Sequence, residues 1–193
     1  TGVNANDIFN PANAGVGSHT ITYIYSSLGC SDTATGTLTV HALPVVSFST
    51  LPATCLNTPA YLLSGGSPSG GTYTGTAVSG NEFTPSTAGV GNFILTYGYT
   101  NSNGCSASDT SMVHVNGLPT VSFSTLPTVC QNTGPVALSQ GSPAGGTYSG
   151  PGVGGTTFYT GIAGAGTHSL VYTYHDANNC SNTATQDIIV NPI

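Results

Sequence analysis

The chain has 193 residues, no Lys or Arg, six acidic side chains and a formal net charge of −6. With no cationic side chain except His it lacks the contacts that drive phosphate binding, which argues against nucleic acid and anionic membrane surfaces as partners. Its 27 Gly and 12 Pro stay below the roughly 25–30% typical of low-complexity segments. Ten Tyr, six Phe and many β-branched residues argue against disorder. No apolar run approaches the roughly 20 residues of a membrane helix, so no membrane insertion is expected.

Taken in order, the chain repeats one unit of about 75 residues. Residues 1–43 hold only its back half, FNPANAGVGSHTITYIYSSLGCSDTATGTLTVHALP from Phe9 onward. In this part Ile21, Tyr23 and Tyr25 alternate along one strand, and Leu38 and Val40 lie on the next. A partial sheet of this size does not close a sandwich alone. Its missing strands are expected either from a longer parent chain or from a neighbouring subunit.

Residues 44–118 form a whole unit. VSFS is a short strand, a second lies around 61–64, and GSPSGG is a turn in which Pro presets φ and Gly supplies positive φ. GTYTG opens the next strand, Phe83 follows, and AGVG makes a corner. Phe93, Leu95, Tyr97 and Tyr99 then alternate, and Val113 and Val115 lie on the last strand. Residues 119–193 repeat this pattern with Leu170, Tyr172 and Tyr174, then Ile188 and Val190. No stretch shows a helical period. Six or seven short strands with turns every 8–12 residues are expected to form an all-β fold of tandem small sandwiches. Junctions with Pro (HALP, NGLP) are too short for a flexible linker.

Five cysteines occupy repeated places, Cys55 and Cys130 after the VSFSTLP segment and Cys30, Cys105 and Cys180 in the last loop. One staple per unit, Cys55–Cys105 and Cys130–Cys180, is the economical expectation, with Cys30 free or paired outside the sequence. Each bridge would contribute roughly 4 kcal/mol in the chain-entropy view and indicates an oxidising, extracytoplasmic setting. Cross-links between neighbouring units (Cys30 with Cys55, Cys105 with Cys130) and free buried thiols remain open. Zinc is disfavoured, because no Cys-x-x-Cys or nearby His supports it.

The five His fall at positions that do not repeat as a set, although His19 and His168 match each other. The acids Asp7, Asp32, Glu82, Asp109, Asp176 and Asp187 offer no recurring pair for acid–base work. Asn4, Asn6 and Asp7, and the loop Asp176, Asn178 and Asn179, supply one carboxylate each, thin for Ca²⁺. The Gly-rich runs are followed by no Lys, and no Ser lies in a nucleophile elbow. No enzyme activity, cofactor or metal is expected.

The framework VSFSTLPxxCxN…GSPxGGTYxG…AGxG…Tyr-rich strand…GCS resembles the tandem immunoglobulin-like repeats of very large surface proteins of Bacteroidota, over essentially all 193 residues. That resemblance implies immunoglobulin-like sandwiches in an extracellular or cell-surface adhesin or filament, exported by the type IX route. Such repeats act as stalk or fibre, in contact with neighbouring repeats or identical subunits. It also implies O-glycans at Asp-Ser/Thr followed by a small or apolar residue, which Asp32-Thr33-Ala34 fits and Asp109-Thr110-Ser111 departs from at its third position, marking Thr33 alone as a candidate. The alternative is a module binding extracellular glycans or proteins, with Tyr73, Tyr148 and Tyr159 as stacking residues.

Overall fold

The computed structural model describes residues 2–4 and 7–193. The chain is all-β, and among the described residues its helices are limited to single turns at Pro11–Ala14, Pro85–Ala88 and Thr160–Ala163. These turns sit at the three AGxG corners and are too short to leave a 3.6-residue signature in the sequence. Pro opens the first two, where its missing N–H costs nothing, and Gly15, Gly89 and Gly164 end all three at φ of 83°, 86° and 81°.

The residues group into two compact units. One comprises Thr1–Thr50, Leu63–Gly75 and Leu95–Ser111, the other Leu51–Leu62, Thr76–Ile94 and Met112–Ile193. Residues of the second sequence repeat contribute to both, and the third repeat lies wholly in the second unit.

In the second unit the third repeat forms a sheet in the order Val129–Cys130, Ser181–Asn191, Gly166–His175, Thr147–Ser149. The long pair is a hairpin in continuous register from Gly166↔Val190 to His175↔Ser181. At its edge Val129–Cys130 runs parallel to the end of the last strand, Cys130 opposite Asn191. A second sheet pairs Pro135–Ala137, Thr157–Tyr159 and Val153–Gly154, and Ser122–Phe123 pairs with Gly141–Ser142. Alternation along the hairpin buries one face. Leu170, Tyr172, Ile188 and Val190 meet Phe123, Leu138 and Phe158 from the other strands in one core. This is the sandwich expected from the strand pattern.

In the first unit the back half of the first repeat is a hairpin of Gly17–Ser27 and Cys30–Val40, closed at Leu28-Gly29. Both turn residues have positive φ, 49° and 83°, the type I′ geometry that matches strand twist. The unit also holds Ser47–Phe48 paired with Gly66–Ser67, and Thr72–Gly75 paired with residues 95–98. Phe48, Leu63, Tyr73, Leu95 and Tyr97 are buried there.

Candidate functional site

The GSPxGG turns are tied to one tyrosine each. The Tyr97 hydroxyl accepts the Gly71 N–H at 2.7 Å and donates to the Pro68 carbonyl. Tyr172 does the same with Gly146 N–H, at 2.7 Å, and the Pro143 carbonyl. A second tyrosine, Tyr73 or Tyr148, accepts the N–H of Gly66 or Gly141. In both turns the Ser-Pro peptide is cis.

Only Gly70 and Gly145 in these motifs need positive φ, at 94° and 96°. The flanking glycines serve close approach instead. A Cβ on Gly66 or Gly141 would meet the Tyr97 or Tyr172 ring at 2.5 Å. On Gly71 or Gly146 it would also strike a backbone carbonyl, at 2.3 or 2.4 Å. Sequence reasoning assigned these glycines to turn geometry and missed the ring they admit. The recurring spacing of GGTYxG to the Tyr-rich strand was the signal available.

This arrangement bears on the candidate stacking residues. Tyr73 is buried against Tyr97, with ring centroids 4.7 Å apart, and Tyr148 repeats the contact with Tyr172. Their rings are occupied by the fold; Tyr159, 38% exposed, is the one of the three open to solvent.

The cysteines pair differently from the expectation. Cys55 is bonded to Cys180, across 125 residues of sequence, with Cα atoms 5.5 Å apart. Cys30, Cys105 and Cys130 are free thiols. The expected Cys55–Cys105 and Cys130–Cys180 bridges are therefore replaced by one bond from the front of the second repeat to the last loop of the third. The physical reason is the parallel edge strand. Thr54–Cys55 lies along Val115–Asn116, at the end of its own repeat's last strand. That position faces the following repeat, and the Asn57 amide donates to the Ser181 carbonyl at 3.1 Å.

Both halves of the bond have a repeated local geometry. Thr58 Oγ1 accepts the Cys55 N–H, and Thr133 Oγ1 accepts the Cys130 N–H. Asp176 Oδ1 accepts the N–H groups of Asn178 and Cys180, and Asn101 Oδ1 those of Asn103 and Cys105. In the Asp176 loop weighed for Ca²⁺, Oδ1 of the carboxylate is thus engaged by its own turn. Asn6, of the other such cluster, lies outside the described residues.

The matching histidines hold corners. His19 Nε2 lies 2.8 Å from the Gly15 carbonyl and His168 Nε2 2.9 Å from that of Gly164. Since a carbonyl only accepts, Nε2 carries the proton. Asp109 accepts the Phe48 N–H at 2.8 Å. Among the described residues no group of three or more His, Cys, Asp and Glu is placed to hold a metal ion. No helix among them is long and apolar enough to cross a membrane. Thr33 is exposed, paired with Ile24 on the hairpin face opposite Tyr23.

The hairpin of the first repeat is exposed along most of both strands. Tyr23 is 67% exposed, whereas Tyr97 and Tyr172 at the same repeat position are 2% and 1% exposed. A groove lined by Val3, Phe9, Ile21 and Tyr23 runs beside it.

No protein-family model and no curated protein sequence matches the chain. Among solved structures it is similar to a Ca²⁺-stabilised adhesin with which an Antarctic bacterium binds ice, at 14% identity and a TM-score of 0.39, covering 92% of this chain and 57% of that one. It is also similar to an endo-fucoidan hydrolase of glycoside hydrolase family 107, at 13% identity and a TM-score of 0.34, covering 93% and 35%. The insect immune protein hemolin matches at 12% identity and a TM-score of 0.30, covering 90% and 56%. The chain thus spans little more than half of the adhesin and about a third of the hydrolase.

Proposed function

We propose that the chain is a non-catalytic structural repeat segment of an extracellular surface protein, of the Bacteroidota stalk or filament type that its sequence resembles. The observation that carries this is the Cys55–Cys180 bond. A bridge within one repeat protects that repeat, whereas this one, joining the second repeat to the third, carries tension past the short Pro junction between them. A disulfide also requires the oxidising conditions found outside the cytoplasm. The absence of Lys and Arg, which removes every trypsin site, suits such exposure.

Pulling the chain by its ends tests the reading. With the bond intact, the 125-residue span between Cys55 and Cys180 stays out of the extended length. Reduction should lengthen the fully stretched chain by roughly 400–450 Å, at about 3.3–3.6 Å per residue. No gain on reduction would reject a tension-bearing role. Electron microscopy of native material should show uniform extended assemblies with a regular axial repeat.

A binding role for glycans or proteins is the second reading, favoured by the exposed aromatics Tyr23, Tyr25 and Tyr159. Glycan-array binding that disappears with Tyr159→Ala would support it.

A further inference from the structure

The second repeat carries the pair Asn-Gly twice, Asn103-Gly104 in its last loop and Asn116-Gly117 at the end of its last strand. An asparagine before glycine is prone to close on itself. The next backbone nitrogen is within reach of the side-chain Cγ, and glycine has no Cβ to hinder the approach or restrict the twist it needs. Counted from the last-loop cysteines Cys105 and Cys180, the third repeat has Asn178-Asn179 and Asn191-Pro192 at these places. The side chain of Asn179 crowds the attacking nitrogen, and a proline nitrogen has no proton to lose.

The two Asn-Gly pairs stand in opposite settings. Asn116 pairs with Cys55 of the parallel edge strand, and its carbonyl takes the Leu56 N–H at 2.9 Å. Held extended on that ladder, Asn116 cannot turn its Cγ onto the Gly117 nitrogen without leaving it. Asn103 and Gly104 are exposed, and no hydrogen bond holds the Asn103 side chain among the described residues. The nucleophile is restrained by a backbone bond, Gly104 N–H to the Asn101 carbonyl at 3.0 Å. Gly104 has a φ of 79°, and a Cβ built there meets nothing within 4 Å, so the space beside it is open. An exposed turn of this kind opens at little cost.

We propose that Asn103 is a site of spontaneous, water-driven deamidation that irreversibly alters the last loop of the second repeat. Local opening frees the Gly104 N–H. Its proton passes to a base in solvent, the nitrogen bonds to Asn103 Cγ, and the Cγ–Nδ2 bond breaks. Ammonia leaves with a proton taken from water. Water then opens the cyclic imide at either carbonyl, giving an aspartyl or an isoaspartyl residue at position 103. The step consumes water alone. Either product adds a negative charge to a chain with no Lys or Arg to offset it. The isoaspartyl product also inserts a methylene into the main chain of the turn. Asn101 Oδ1 accepts the N–H groups of both Asn103 and Cys105 at 3.0 Å, and the lengthened segment between them no longer presents both to one oxygen. The inference holds whether or not the chain bears tension.

The test incubates the whole oxidised chain in heavy-oxygen water at neutral pH and follows label uptake by mass spectrometry of peptic peptides. Position 103 should react at least about tenfold faster than position 116, which must first leave its strand. With the disulfide reduced and the chain unfolded in denaturant, the two positions should react at similar rates. Gly104→Asn copies the residue that the third repeat places at a φ of 63°, Asn179. It should keep the turn and slow position 103 by at least about tenfold, because the attacking nitrogen then carries a side chain beside it. In the isoaspartyl form, isolated by its altered charge and retention, amide exchange at Cys105 should quicken by at least about tenfold. Exchange over Gly166–His175 should not change.

Equal rates at positions 103 and 116 in the folded chain would overturn the proposal. So would a Gly104→Asn chain that takes up label at position 103 as fast as the parent. A slow position 116 in the unfolded chain would place the contrast in the flanking sequence and overturn the argument from the strand. Unchanged exchange at Cys105 in the isoaspartyl form would refute the alteration of the loop.

Discussion

Two hairpins with nearly the same inward residues have opposite fates in this molecule. The hairpin of Gly166–His175 and Ser181–Asn191 buries Leu170, Tyr172, Ile188 and Val190. That of Gly17–Ser27 and Cys30–Val40 leaves Tyr23 and Tyr25 67% and 60% exposed. Local pattern sets pairing, register and alternation equally in both. Burial depends on front-half strands, which residues 119–193 include and residues 1–43 do not. A strand pattern therefore states which face seeks cover, and tertiary structure decides whether cover arrives.

The largest test of this contrast is the disulfide. Replacing Cys55 by Ser frees a loop of 125 residues and should cost the second unit roughly 5 kcal/mol in the chain-entropy view, read by denaturant unfolding. Amide exchange in the first-repeat hairpin should not change. A comparable loss there would mean the hairpin is more tightly coupled than its exposure indicates.

Next come the tyrosines. Tyr172→Ala should cost about 3–5 kcal/mol, the usual cost of removing a buried aromatic. Tyr23→Ala should stay within about 0.5 kcal/mol, as for exposed positions. Equal effects would break the comparison.

Glycines sharpen it further. Gly146→Ala drives a Cβ to 2.4 Å from the Thr173 carbonyl and 2.5 Å from the Tyr172 ring, and should cost about 1–3 kcal/mol. Gly36→Ala on the open hairpin meets nothing within 4 Å and should leave thermal unfolding unchanged or slightly improved.

The smallest effect concerns hydroxyls. Tyr172→Phe strips the Gly146 N–H of its acceptor and should cost about 1–2 kcal/mol. Tyr61, whose ring packs edge-on to Phe83, has a buried hydroxyl with no partner among the described residues, and burial raises its pKa. Tyr61→Phe should therefore be neutral or stabilising by up to about 1 kcal/mol. A raised folded-state pKa favours the neutral phenol. Its contribution is fully present below the unfolded value of 10.0 and is lost as pH rises beyond it. The variant should lose less stability in that alkaline range than the parent.

The sequence alone determined the all-β class, the repeat, the long back-half strands and their inward residues. Each of these follows from local alternation and turn chemistry, which do not need distant partners. It also indicated that the strands within residues 1–43 do not close a sandwich by themselves. The cysteine pairing was not legible. Because front and last-loop cysteines recur at one offset, bonding within a repeat and bonding to the next produce the same spacing pattern. Only the parallel edge strand that carries Cys55 to Cys180 distinguishes them. The close-approach glycines were hidden for a similar reason. Gly146 looks like any turn glycine until the Tyr172 ring, 26 residues away, is brought against it. Tertiary structure decided what touches across long separations, since packing space and edge-strand position are properties of the assembled sandwich.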